Sequence, residues 1–170
     1  MLALRVTYVG ELGWELHVPT EFAAAVYDAL MVAGAEFGIA NAGYRAIETL
    51  RLEKGYRAWG SDIGPDHTPL EAGLGWAVKL KGRRAFLGRE SLERQRLAPL
   101  RKSLCTFTID DPEVVLIGRE TIYRDNERVG WLSSGGFGHT IGKAIGMGYV
   151  RHAEGVDRDY LLAGNYSLEV

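Results

Sequence analysis

Hydrophobic and polar positions near the start of the chain predict a β-hairpin. Residues 4–9 form an apolar, β-branched run, and a turn containing two glycines follows. Residues 14–18 then alternate between apolar and polar with a period of two. Two such runs around a short glycine-containing turn are typical of two antiparallel strands.

Two helices are predicted after this hairpin. Between residues 22 and 37 an apolar side chain recurs every three or four positions, which indicates one apolar helical face, and Thr20 is positioned as the N-cap. A second helix is predicted over residues 44–54, where Gly55 ends it and Arg51 lies on the outward face.

The pattern changes at Pro99. Before it, residues 75–80 predict a strand and residues 88–98 a polar helix. After it, short strands separated by Gly, Asp and Asn are expected at residues 103–109, 120–124, 128–133, 144–150 and 166–170. Strands at this spacing favour a small barrel or sandwich. The sequence therefore predicts an α+β fold, with an α+β lobe over residues 1–98 and an all-β domain over residues 99–170.

Composition narrows the functional class. The 170 residues are 46% hydrophobic and 25% charged, which is typical of a folded globular protein. Twenty Lys and Arg against 22 Asp and Glu give a net charge of -2, which argues against a nucleic-acid partner. Cys105 is the single cysteine, and no apolar run has the length of a membrane span. We expect a cytoplasmic protein with no membrane partner, or a mitochondrial matrix protein if the source is eukaryotic.

Two segments invite a ligand-binding interpretation. Residues 133–139 are rich in glycine but lack the spacing of a phosphate-binding loop, so we expect a tight turn between strands. Residues 79–102 hold nine basic and two acidic side chains. A solvated helix face explains this basic strip more simply than a docking strip for an anionic ligand tail.

Metal and nucleophile chemistry have little support in the sequence. Asp62, Asp66 and His67 are a conceivable metal set, but their spacing matches no common metal motif, so no metal site is predicted. Cys105 lies in a predicted strand without a neighbouring His or Lys, so we expect a small buried hydrophobic residue rather than a nucleophile.

Glu15 is the most unusual charged residue in the predicted hairpin. It stands between Trp14 and Leu16, where a carboxylate is desolvated unless it accepts hydrogen bonds. It therefore requires a partner with several N–H donors. On the residues alone, an internal arginine such as Arg45 or Arg51 is preferred to a ligand.

Three motifs in order carry a family resemblance. They are Tyr8-x-Gly-Glu-x-Gly-x-Glu15, Leu-Arg-Leu-Glu-Lys-Gly at residues 50–55, and Thr-Pro-Leu-Glu-Ala-Gly-Leu at residues 68–74. Their order and spacing resemble the folate-binding aminomethyltransferase family, which includes the C-terminal regions of sarcosine and dimethylglycine dehydrogenases. Matches such as Phe86-Leu-Gly-Arg-Glu90 extend the resemblance over essentially the whole chain and favour the dehydrogenase members.

The resemblance implies part of a cloverleaf of α+β lobes followed by a small antiparallel β-barrel, with tetrahydrofolate as cofactor. Such a parent enzyme oxidises an N-methyl amine on FAD, held in an N-terminal domain, and passes the one-carbon unit to tetrahydrofolate. The flavin domain and the half that carries the family's catalytic Asp are not in this sequence. We therefore expect a fragment, inactive alone and without catalytic residues, whose partners are folate and those N-terminal segments of the parent.

The resemblance also implies which residues bind folate. Glu15 matches the glutamate that holds the pteridine, Tyr8 matches a tyrosine that lines the pocket, and Tyr56 is a third candidate. The family arginine falls at Ile47, so Arg45 is not assigned to the site.

Two alternatives stay open at this point. One is a free-standing, non-catalytic module that binds folate or a protein partner. The other is a fragment of the glycine-cleavage aminomethyltransferase, against which the Tyr-Arg-Ala-Trp stretch at residues 56–59 argues.

Overall fold

A computed structural model describes residues 1–82 and 84–170. The chain divides into two compact units, residues 1–56 and residues 57–170. The domain boundary expected at residue 99 stays a prediction. Arg83, one of the nine basic residues of the basic strip, lies outside the described residues.

The first unit begins with a short antiparallel pair of strands. Strands β1 (Leu2–Leu4) and β2 (Glu15–His17) pair so that Leu4 lies opposite Glu15. The antiparallel pairing of two strands is confirmed, but the first strand lies at residues 2–4 and not at residues 4–9 as predicted. The chain turns after Leu4, because the Val6 N–H donates a hydrogen bond to the Leu4 carbonyl at 3.0 Å and so leaves the extended conformation.

A helical segment follows, with its apolar face exposed. A 3₁₀ turn (Thr20–Phe22) leads into α1 (Ala23–Gly34) and a second 3₁₀ turn (Ala35–Phe37). The expectation that Thr20 caps the helix is wrong, because Thr20 is already inside the first turn and no side chain caps this end. Phe22 is 57% exposed and Phe37 is 81% exposed.

The second helix has the predicted bounds. Helix α2 covers Tyr44–Lys54, and Gly55 ends it in the left-handed conformation. The outward placement of Arg51 is wrong. Its side chain is 2% exposed, because hydrogen bonds within this unit satisfy its guanidinium.

The second unit opens with irregular chain. The predicted strand at residues 75–80 is wrong, because the N–H groups of Ala77 and Val78 donate to carbonyls three residues earlier and form the 3₁₀ turn Gly75–Ala77. The predicted polar helix is confirmed as α3 (Arg89–Arg96).

A five-stranded antiparallel sheet forms the rest of the second unit. Its strands are β3 (Lys102–Ile109), β4 (Thr121–Arg124), β5 (Glu127–Gly138), β6 (Lys143–Arg151) and β7 (Tyr166–Leu168). The order across the sheet is β3-β6-β5-β4-β7, and register shifts within β4 and β5 bend it. The mixed α+β class and a curled antiparallel sheet of small-barrel type are confirmed. The short helix α4 (Arg158–Ala163) was not predicted; Asp157 caps it by accepting from the Tyr160 N–H at 2.7 Å.

The core of this unit includes side chains from strands β4, β5 and β6. It is built from apolar side chains that are at most 6% exposed: Leu116, Ile122, Leu132, Ala144, Val150 and Val156. The expected turn at residues 133–139 is wrong, because residues 133–138 belong to β5. A Cβ on Gly135 would stand 2.7 Å from backbone atoms of residues 116 and 118, so glycine lets that segment pack directly on the strand.

Candidate functional site

Tyr8, from the first motif, and Tyr56, which directly follows the second, meet in the first unit. The rings of Tyr8 and Tyr56 stack with centroids 6.1 Å apart and planes inclined by 21°. Both residues are half-buried, so the pair presents ring surface to solvent while part of each ring is packed. An aromatic pair of this kind offers a flat apolar surface on which a heteroaromatic ring can stack.

Arg51 holds the backbone of Tyr56 in place. Its Nη1 donates to the Tyr56 carbonyl at 3.1 Å, while its Nε and Nη2 donate to Oε2 of Glu48 at 3.0 and 2.8 Å. The Tyr56 N–H in turn donates to the Arg51 carbonyl at 2.8 Å. Arg51 is therefore a positioning residue that the sequence analysis missed. The signal was a Glu three residues before an Arg in a helix, which predicts a side-chain pair.

The glycine motif brings the loop that carries Tyr8 against the end of α2. Gly10 has a φ of +84°, and a Cβ at this position would stand 2.6 Å from Cγ of Lys54. Any larger residue would strain the backbone and displace the lysine stem. Glycine at position 10 therefore lets this loop pack closely on α2, the helix that precedes Tyr56.

Glu15 has surroundings that differ from the expectation. It was expected to be desolvated and held by Arg45 or Arg51, and this is wrong. Its side chain is 57% exposed, because β1 and β2 are each three residues long and wholly exposed. Its Oε2 lies 3.6 Å from Nε2 of His17, and among the described residues no arginine pairs with it.

The exposed carboxylate and the ring pair are chemically suited to a flat ligand with N–H donors. A carboxylate accepts two parallel hydrogen bonds from a donor fork, and the tyrosine rings provide a stacking surface. The structure brings together two of the three predicted residues, Tyr8 and Tyr56, while the carboxylate of Glu15 lies beside His17. Their assignment to a folate site stays a prediction.

The other candidate residues have structural roles in the second unit. Cys105 is half-buried and not fully buried as expected; this burial still raises the pKa of its thiol to about 11, which argues against a nucleophile. Asp62 is fully buried and accepts hydrogen bonds from the Ala58 N–H at 2.9 Å and from Oγ of Ser134 at 2.8 Å. Its carboxylate is therefore used within the protein.

Both parts of the chain match described domains of a single family. Residues 1–82 match the family described as "GCVT N-terminal domain", and residues 102–165 match the "Glycine cleavage T-protein C-terminal barrel domain". The chain belongs to the glycine cleavage T-protein family. The resemblance drawn from the three sequence motifs is thereby confirmed.

Dehydrogenase members of this family are similar to the chain over most of its length. Human mitochondrial sarcosine dehydrogenase is 49% identical over 98% of this chain and 18% of its own length. Human mitochondrial dimethylglycine dehydrogenase is 41% identical over 87% of this chain and 17% of its own length. The chain thus spans about a fifth of the length of these relatives.

A solved structure of the family has the same fold. The glycine cleavage system aminomethyltransferase T from Bartonella henselae matches with a TM-score of 0.77 and 29% identity, over 88% of this chain and 41% of that chain. In the part of the chain that the structure describes, no helix combines the length and apolar character needed to cross a bilayer.

Proposed function

We propose that this chain is the tetrahydrofolate-binding part of a sarcosine-dehydrogenase-like enzyme, which demethylates an N-methyl amine and passes the one-carbon unit to tetrahydrofolate. The observation that carries the proposal is the stacked pair of Tyr8 and Tyr56. One ring belongs to the first motif of the resemblance and the other directly follows the second, and the two meet in one place. The 49% identity to human sarcosine dehydrogenase supports the dehydrogenase type over an aminomethyltransferase.

The residues of the first unit fit a pterin. The pterin ring is flat and heteroaromatic, so it stacks on a tyrosine face. Its ring N–H and 2-amino group form a donor fork, which the exposed carboxylate of Glu15 is suited to accept. Arg51 holds the backbone of Tyr56 in place for this contact, and we assign it no contact with the ligand.

When bound, tetrahydrofolate supplies the acceptor for the one-carbon unit. The role proposed for this chain is to hold and orient the pterin; no residue of the chain is assigned to bond breaking. FAD and the amine site belong, in this proposal, to N-terminal segments of the parent. We place the parent in the mitochondrial matrix or, for a bacterial source, in the cytoplasm; the two human dehydrogenases described above are mitochondrial.

The first test is a tetrahydrofolate titration of the purified chain, followed by the fluorescence of its tryptophans. Trp14, adjacent to Glu15, is expected to report saturable quenching. Tyr56→Leu removes the stacking surface and should weaken binding by about tenfold. Tyr44→Leu is the matched control, since Tyr44 is 77% exposed on α2 and should leave binding unchanged. Equal affinities for the two variants would contradict a role for Tyr56.

A second test asks whether flavin binding and amine oxidation belong to other segments of the parent enzyme. The purified chain should show no flavin absorbance and no oxidation of sarcosine, because both are assigned to other segments. Sarcosine oxidation by the pure chain would refute this assignment while leaving folate binding to be judged by the titration.

A further inference from the structure

The second unit contains a small cavity that the folate proposal does not use. Its volume is about 260 Å³, and its lining includes Asp66, His67, Lys102, Trp131, Tyr149 and Arg151. We call it the Arg151 cavity. The irregular chain that follows residue 57 forms one side, and strands β3, β5 and β6 form the other.

One wall of the Arg151 cavity is a rigid stack of two rings. His67 and Tyr149 stack with centroids 4.5 Å apart and planes inclined by 18°. Tyr149 is 5% exposed, and its hydroxyl donates to the backbone carbonyl of Asp62 at 2.9 Å. Because burial and this hydrogen bond fix the Tyr149 ring, this side of the wall is in place before any ligand binds.

The second wall presents a guanidinium. The Arg151 Cζ lies 4.2 Å from the centroid of the Trp131 ring, so the cation stands over the indole face. Among the described residues, Arg151 forms no hydrogen bond and no ion pair. Its planar fork of N–H donors is thus positioned by the tryptophan and left available.

The other titratable groups of the cavity differ in state: Lys102 is already engaged, His67 is neutral, and Asp66 is an exposed carboxylate. Lys102 Nζ donates to the Asp66 carbonyl at 2.8 Å and lies 3.7 Å from the Glu71 carboxylate. Desolvation, followed by the nearby charge of Lys102, lowers the pKa of His67, so its imidazole is neutral near pH 7. Asp66 is exposed and forms no ion pair with Arg151 within the described part of the chain.

We propose that the Arg151 cavity binds a small oxyanion, a carboxylate or a phosphate, through the guanidinium fork of Arg151. Planar guanidinium groups bind both anions through two parallel hydrogen bonds, and Arg151 is exposed, so an anion in solution can reach its N–H groups. A cavity of this size holds the volume of roughly eight or nine waters, so the ligand is a small metabolite or the acidic end of a larger molecule.

Nuclear magnetic resonance titration of the full chain tests this site. Inorganic phosphate and acetate are the two probes, and the Arg151 Nε–H and Trp131 indole N–H signals are the readout. Saturable shifts of both signals are expected with at least one probe. The probe that binds more tightly identifies the anion class. An absence of saturable shifts with both probes would overturn the proposal.

Two variants and a control separate a built site from general charge attraction. Arg151→Gln should weaken binding by about tenfold or more. Arg151→Lys keeps the charge but loses the fork, and should also weaken binding. Arg128→Gln is the control, since Arg128 is exposed on β5 and outside the cavity lining. The site would be refuted if Arg128→Gln and Arg151→Gln lost the same anion affinity. It would also be refuted if Arg151→Lys and Arg151→Gln both kept full affinity.

Discussion

Arg51 donates a hydrogen bond from Nη1 to the backbone carbonyl of Tyr56 across 3.1 Å. A cation that is 2% exposed thereby fixes the residue whose ring stacks on Tyr8. The bond ties the last turn of α2 to the proposed pterin surface. Through Tyr56, it also links the motif at residues 50–55 to Tyr8, the first residue of the first motif.

Loss of the Arg51 side chain should destabilise the first unit. Arg51→Met removes the hydrogen bonds that the guanidinium donates to Glu48 and Tyr56 while keeping much of the apolar volume of the side chain. We expect the free energy of unfolding to fall by about 2 to 3 kcal/mol. Urea denaturation followed by circular dichroism measures this change.

The control for this variant is Arg45→Met on the same helix. Arg45 is exposed and forms no hydrogen bond or ion pair among the described residues. Its substitution should change the free energy of unfolding by less than about 0.5 kcal/mol. Similar losses in the two variants would show that the buried bonds of Arg51 contribute nothing specific.

Much of the fold could be predicted where local pattern and local chemistry agree. Helix α2 has the bounds set by its apolar spacing and Gly55, and five strands follow Pro99 as expected. The prediction of a strand at residues 75–80 was wrong because apolar content alone does not determine which carbonyl groups accept from the backbone N–H groups. Ala77 and Val78 bond locally and form a turn.

The site was less predictable, because it depends on contacts between residues far apart in sequence. The stack of Tyr8 on Tyr56 and the burial of Arg51 are set by packing, which helical periodicity does not encode. The exposure of Glu15 was mispredicted for a related reason. Its apolar neighbours suggested burial, but the short hairpin leaves both strands uncovered.

Gly135 should tolerate no side chain. A Cβ at this position would stand 2.7 Å from the Gly118 nitrogen and the Leu116 carbonyl carbon, both of which are backbone atoms. We expect Gly135→Ala to lower the free energy of unfolding by about 2 to 3 kcal/mol. Gly64→Ala is the control, because a Cβ there meets nothing within 4 Å. The two variants are compared by thermal denaturation. Equal stabilities would contradict the close approach of the backbone at residues 116–118 to Gly135.

Glu120 should make stability depend on pH at the acidic end. Burial alone would raise its pKa, but N–H donors of Ile117, Arg119 and Gly118 together lower the pKa below its ordinary value. The ionised form is therefore favoured in the folded state. The stabilisation is fully present above the ordinary Glu pKa of about 4.3, and it is lost as the pH falls through the folded-state pKa.

Comparison of Glu120→Gln with the unmodified chain measures this effect. At pH 7 the variant should be less stable by about 1 kcal/mol, and the difference should shrink towards pH 3. Glu154→Gln, at an exposed position, should match the unmodified chain at both pH values. A difference that grows as the pH falls would contradict the prediction that ionised Glu120 stabilises the folded state.

Cys105 should react slowly with thiol reagents in the folded chain. Burial raises its pKa to about 11, so at pH 7 it holds about a hundredfold less thiolate than an ordinary cysteine. Labelling with a disulfide reagent should therefore be much slower before unfolding in urea than after it. Equal rates in the two states would show that the thiol is accessible and ordinary.

The most direct test of the account is a tetrahydrofolate titration of Glu15→Gln against the unmodified chain. The amide keeps the size of the side chain but loses the charge and one acceptor oxygen, so affinity should fall by about tenfold or more. Glu36→Gln, also exposed in the first unit, should bind as the unmodified chain does. Saturable binding that Glu15→Gln alone weakens is the predicted result; binding that is absent throughout, or unaffected by Glu15→Gln, would contradict the pterin site.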